Sequence, residues 1–74
     1  SRISDTLLQL AVENGIDTEL GITIENRPTH QELANMSGTT RETVSRVLKR
    51  LENEGYINSE GRTLTVLREK QLHQ

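Results

Sequence analysis

At 74 residues, with 31% apolar and 27% charged side chains, the chain has room for one globular domain with a small core and no membrane span. It contains no cysteine, which excludes disulfides and thiolate metal sites and is compatible with a reducing, cytoplasmic setting. The net charge of -2 argues against a nucleic-acid partner, for which a strongly basic domain is expected.

The distribution of charge says more than the sum. Residues 1–38 hold two Arg against six acids, and residues 51–74 hold three basic groups against four acids. Between them, Arg41, Arg46, Lys49 and Arg50 face only Glu42. One segment therefore carries a local positive field. The chain opens on Ser, almost inside a helical pattern and with no signal peptide ahead of it, so it is expected to be an excised piece of a larger protein.

Ile3, Leu7, Leu10 and Ala11 make one helical stripe, widened by Leu8 and Val12, and Asn14-Gly15 stops it. A loop follows from Ile16 to Glu19. Leu20, Ile22 and Ile24 then alternate with Gly21, Thr23 and Glu25, the period of a short half-buried strand. Asn26-Arg27-Pro28 breaks it.

Thr29-His30-Gln31-Glu32 has the form of a capping box, so a short helix is expected from about His30 to Ser37. Gly38 stands where a tight interhelical turn needs a left-handed backbone. The next helix, about 40–53, carries Val44, Val47, Leu48 and Leu51 at i, i+3, i+4 and i+7. A turn of about 100° per residue puts Glu42, Ser45, Arg46 and Lys49 on the opposite face, with Arg41 at its edge. Small Ala34, Gly38 four residues on, and the Val44/Val47 pair together make the helix-turn-helix pattern. Such a helix presents its N-terminal side chains to base edges in the major groove.

Glu52-Asn53-Glu54-Gly55 ends this helix, with Gly55 as its left-handed cap. Tyr56 and Ile57 begin a strand, residues 58–62 form a turn, and Thr63 to Leu67 alternate with Leu64 and Val66 facing inward. Arg68 to Gln74 is polar and expected to fray. The fold class is therefore α+β: a small winged helix-turn-helix of three helices with a short antiparallel sheet, including a C-terminal hairpin wing.

Thr-His-Gln-Glu-Leu-Ala, then Gly38, then Thr-Arg-Glu-Thr-Val-Ser-Arg-Val-Leu-Lys-Arg-Leu-Glu resembles the C-terminal DNA-binding domain of the CRP/FNR family of bacterial transcription regulators. The likeness extends to Arg2-Ile3 and Thr6-Leu7-Leu8 and to Ile57 through Thr63, so it covers nearly the whole chain. It implies base contacts by Arg41, Glu42 and Arg46, and by Ser45 as in the redox-sensing branch, on a site like the family's TGTGA-type core. It implies sugar-phosphate contacts by Thr29, Thr40, Thr43 and Gly61. His30 departs from the family, where an Arg that touches the backbone often stands; a neutral His donates one hydrogen bond without a full charge. Lys49 and Arg50 are expected to add diffuse phosphate attraction, and Arg62 at the wing tip is expected either to contact phosphate or to be simply solvated. The resemblance further implies double-stranded DNA as partner, a homodimer in the full-length protein, and RNA polymerase as a candidate partner. An effector, small-molecule or redox, would bind a preceding domain, and no cofactor is expected in this chain.

The rival readings are plainer. Arg41, Glu42 and Arg46 could be a solvated face, Glu42 could close a capping box with Thr39, and Tyr56 is expected in the core. A winged-helix module that binds another protein through its acidic N-terminal half is the alternative function. Catalysis has little support: the two His are far apart, no Ser/His/Asp spacing or Gly-rich phosphate loop occurs, and Glu52 and Glu54 lie on different helix faces. A metal site built on His30 and His73 would need unrelated partners.

Overall fold

The computed structural model describes residues 1–69. Its elements run α1 (Arg2–Asn14), β1 (Ile16–Asp17), β2 (Gly21–Ile24), α2 (His30–Ser37), α3 (Arg41–Asn53), β3 (Ile57–Glu60) and β4 (Thr63–Leu67). The four strands form one antiparallel sheet in the order β1-β2-β4-β3. Three helices and this sheet make the α+β winged helix-turn-helix expected from the sequence.

The core collects one stripe from each element. Ile3, Leu7 and Ala11 of α1 meet Leu33 and Ala34 of α2, Val44 and Leu48 of α3, and Ile24, Ile57 and Leu64 of the sheet. Leu33, Ala34 and Val44 are fully buried, so the crossing of α2 and α3 is the driest part of the molecule. Ala34 matters there because a longer side chain would hold the two helices apart. The buried polar groups are paired: Ser37 donates to Thr6 Oγ1 at 3.0 Å, and Thr23 and Thr65 share a hydroxyl contact of 2.9 Å across the sheet.

The helix ends follow their side chains. Thr29 caps α2 in a complete capping box, its hydroxyl accepting from Glu32 N–H while the Glu32 carboxylate accepts from Thr29 N–H. Gly38 closes α2 at φ 70°, ψ 40°, the left-handed conformation expected of it. Gly15 ends α1 for a different reason. Its backbone is extended, but an added Cβ would run into Ile22 Cγ2 and the Ala11 carbonyl, so it serves close approach of helix and sheet.

Several expectations are corrected. Leu8 and Val12 do not widen the buried stripe; they are 53% and 81% exposed, because the sheet covers only one side of α1. The loop from Ile16 to Glu19 contains β1, which pairs Ile16 with Thr23 and Asp17 with Ile22; two residues are too few to show alternation. Leu20 lies outside β2, exposed in the hairpin turn that Thr18 closes by bonding to Gly21. The turn at the wing is narrower than 58–62, since β3 continues to Glu60 and only Gly61 and Arg62 remain between the strands. Tyr56 is not core. It is 44% exposed at the rim of an apolar groove shared with Leu8, Leu51 and Val66. Gly55, left-handed at φ 83°, follows Glu54 at the end of α3, and the chain turns so that Ile57 takes the buried place. Arg68 does not fray: it bonds Asp17 at 2.6 Å and the Thr18 carbonyl at 2.8 Å. Residues 70–74, including His73, lie outside the described residues.

Candidate nucleic-acid interface

Helix α3 starts one residue later than a Thr39 cap would place it. Thr40 is the N-cap, its Oγ1 accepting from Thr43 N–H at 3.2 Å, while Thr39 N–H goes back to the Ala34 carbonyl. This register removes Glu42 from any capping box with Thr39, because the third helical residue is Thr43. Glu42 is exposed, and its carboxylate makes no hydrogen bond among the described residues. Arg41 is exposed in the same way. Arg46 reaches back one turn to Thr43 Oγ1 at 3.4 Å, a weak contact, and Thr43 Oγ1 lies 2.9 Å from Thr40 Oγ1. Lys49 continues this face and is exposed.

The residues expected to lie against a DNA backbone are spread over the helix starts and the wing. Thr40 and Thr43 stand at the start of α3, and Thr29 stands exposed at the start of α2. Gly61 turns the wing at φ 60°, with open space where a Cβ would be. Arg62 is exposed beside it. The wing is tied to the helix-turn-helix through Arg27 N–H, which donates to the Arg62 carbonyl at 2.9 Å.

His30 and Ser45 are placed differently from the rest. Both are half-buried in a polar groove between α3 and the wing. His30 Nδ1 lies 2.8 Å from Ser45 Oγ, and Nε2 lies 3.1 Å from Arg27 Nη2. Arg27 Nη1 donates to Ser59 Oγ at 2.7 Å, and Ser59 N–H donates to the Glu52 carboxylate at 3.2 Å. A continuous relay thus links β3, the segment before α2, α2 itself and α3. Burial first, then the charges of Arg27 and Arg41, push the His30 pKa below its ordinary value of 6.5. Its imidazole is therefore neutral at pH 7.

Arg27, Ser59 and Glu52 were not singled out by the sequence. Arg27 reads as part of a Pro-containing turn, Glu52 as a helix end and Ser59 as turn residue; only the hairpin register and the chain path before Pro28 bring them together. Among the described residues there is no group of acids and histidines able to hold a metal, and no helix long and apolar enough to cross a membrane.

Known proteins share this fold. Residues 1–74 match the Crp-like helix-turn-helix domain family. The chain is similar to the cAMP-activated global transcriptional regulator CRP of Pasteurella multocida, at 41% identity over 88% of this chain and 31% of that protein. It is equally similar to the regulator of that name from Escherichia coli O6:H1, at 41% identity over 88% of this chain and 30% of that one. It thus spans less than a third of the curated relatives it matches. Among solved structures it resembles the CO-dependent transcription factor CooA of Carboxydothermus hydrogenoformans, with TM-score 0.75 and 34% identity over 88% of this chain and 31% of that one. It also resembles the c-di-GMP-responsive global regulator CLP of Xanthomonas campestris, with TM-score 0.75 and 33% identity over 92% of this chain and 32% of that one. The chain belongs to the Crp-like helix-turn-helix family and is a winged-helix DNA-binding domain of the CRP/FNR transcription-regulator type.

Proposed function

We propose that this domain binds duplex DNA sequence-specifically, with α3 in the major groove and the wing against the adjacent backbone. The observation that carries the reading is the outer face of α3. Arg41 and Glu42 stand exposed and unbonded among the described residues, and Arg46 is held only by one long contact. Side chains that read bases need to be free to exchange water for base edges. Arg41 and Arg46 would donate to guanine O6 and N7, Glu42 would accept from cytosine N4, and Ser45 would face the next base. Thr29, Thr40, Thr43, Lys49, Gly61 and Arg62 would lie along the sugar-phosphate backbone. His30 has both ring nitrogens engaged within the protein, so we place it behind that contact line.

The domain would act as one half of a dimeric cytoplasmic regulator. Its effector would be bound by parts outside these residues, and RNA polymerase would be a second partner. Alone, the 74-residue chain is expected to be monomeric and to bind a single half-site weakly, because pairing two half-sites gains about 10² to 10⁴ through effective concentration. Titration of a labelled duplex at rising salt tests the reading. DNA binding should weaken steeply as counterions compete for the phosphates. Absence of binding to any duplex at low salt would favour the protein-binding alternative, and a tight dimer of this chain at micromolar concentration would contradict the half-site view.

A further inference from the structure

The relay behind α3 fixes which way its hydrogen bonds run. Arg27 has donors only, so the contact between its Nη2 and His30 Nε2 requires Nε2 to accept. A neutral imidazole carries one proton, which must then sit on Nδ1. Burial and the neighbouring Arg27 and Arg41 charges keep the ring in that neutral form. Nδ1–H therefore donates to Ser45 Oγ, 2.8 Å away. Ser45 receives its bond from inside the protein, and its own hydroxyl proton has no recipient among the described residues. A helical hydroxyl commonly gives that proton to the carbonyl four residues back, as Thr6 does to Arg2 at 2.8 Å. Ser45 makes no such bond to Arg41.

We infer that Ser45 reads its base as a hydrogen-bond donor, with Arg27 and His30 acting as positioning residues that set this polarity from behind. The inference rests on the proposed insertion of α3 in the major groove. A serine hydroxyl can ordinarily donate or accept, so a Ser on a recognition helix carries little base preference of its own. Here the oxygen is already polarised by an incoming N–H, which makes its proton the stronger of its two offers. The bases that suit it are those with a major-groove acceptor: guanine N7 or O6, adenine N7 or thymine O4. Cytosine, whose polar group in that groove is the N4 amine, would set donor against donor. Glu42, one turn earlier and able only to accept, makes the opposite choice and selects cytosine. Neighbouring positions on one helix face thus read with opposite polarity, one by its ionised group and the other by its backing.

The test uses the 74-residue chain and short duplexes at low salt. A first round of selection from randomised duplexes gives the preferred half-site. Single-base variants of it then locate the base pair at which Ser45→Ala loses preference. At that position the wild-type chain should favour an acceptor base over cytosine by roughly tenfold. His30→Phe, which cannot donate, should reduce that ratio to within about twofold while preferences at other positions persist. His30→Asn, whose amide N–H can stand near the place of Nδ1–H, should keep it. Independently, ¹⁵N spectra of the histidine ring should show His30 protonated at Nδ1 and bare at Nε2. Failure to bind any duplex would overturn the DNA reading itself, and the inference with it. With DNA binding intact, the inference alone falls on any of four results: cytosine preferred at the Ser45 position, no position altered by Ser45→Ala, a ratio unchanged in His30→Phe, or the reverse tautomer.

Discussion

The two faces of α3 differ in sequence and, with it, in what they already touch. On the inner face Val44 and Leu48 are locked against Leu33 and Ala34, and hardly an atom is left exposed. On the outer face the Arg41 and Glu42 side chains make no hydrogen bond or ion pair within the described residues, and Arg46 leans on Thr43 at 3.4 Å. Ser45 lies at the boundary, bonded inward through His30 yet half exposed. The inner face spends its side chains on fixing where the helix lies; the outer face keeps its own unspent for a partner. A helix divided in this way should show separable losses, stability from one side and DNA affinity from the other.

The sharpest break of that division is on the inner side. Leu33 is fully buried at the crossing of α2 and α3, so Leu33→Ala should cost about 2–5 kcal/mol of stability. In a domain of this size that is enough to leave much of the chain unfolded at 37 °C. Denaturant titration followed by circular dichroism checks it. A loss of DNA binding with full retention of stability would show that the inner face does more than hold the helix.

The outer side should behave in the opposite manner. Arg46→Ala removes an exposed side chain with one weak contact, so stability should stay within about 0.5 kcal/mol. Affinity for the preferred half-site should fall by roughly 1–3 kcal/mol, and affinity for random DNA much less. Paired anisotropy titrations on the two kinds of duplex measure both numbers. Equal losses on both would reassign Arg46 to phosphate contact.

Glu42→Ala is expected to have a smaller effect on affinity and a larger one on choice. A carboxylate near phosphates is repelled, so its removal should leave non-specific binding unchanged or raise it. What should disappear is preference at one base pair. Because Thr40 rather than Thr39 caps α3, Glu42 has no capping role to lose, and thermal stability should barely move. Selection on randomised duplexes with wild-type and variant side by side decides it; an unchanged consensus would remove Glu42 from base reading.

The contrast also explains what could be read from the chain. Helix α2 was legible to the residue, from His30 to Ser37, because the Thr29/Glu32 box and Gly38 are local signals that act within a few residues. The outer face of α3 was legible because helical periodicity alone separates Glu42 and Arg46 from Val44 and Leu48. The relay was not. Arg27 and Ser59 are 32 residues apart, and their meeting depends on the β3–β4 register and on the chain path from β2 into α2. Tyr56 failed for a related reason: its aromatic character favours burial, but the turn at Gly55 decides which of Tyr56 and Ile57 faces inward. Strand β1 is short enough that no pattern could mark it.

The smallest expected effect belongs to His30, which sits on the boundary between the two faces. Its folded pKa lies below 6.5, through burial and then the Arg27 and Arg41 charges, so folding disfavours the protonated ring. Above the unfolded value both states are neutral and the group's contribution to stability is fully present. As the pH falls below 6.5, the unfolded chain takes up a proton that the folded chain resists, and stability declines. Below the folded pKa both states are protonated and this group causes no further loss. Protonation also places a hydrogen on Nε2, where Arg27 requires an acceptor, so the inward relay opens at that link while Nδ1–H can still donate to Ser45. Urea titrations from about pH 8 to about pH 5 should therefore show a decline in wild-type stability that is absent in His30→Asn, since the carboxylates titrate mainly at lower pH. An identical slope in the two proteins would mean that His30 is as readily protonated in the fold as out of it, so that neither burial nor the Arg27 link disfavours the charged ring.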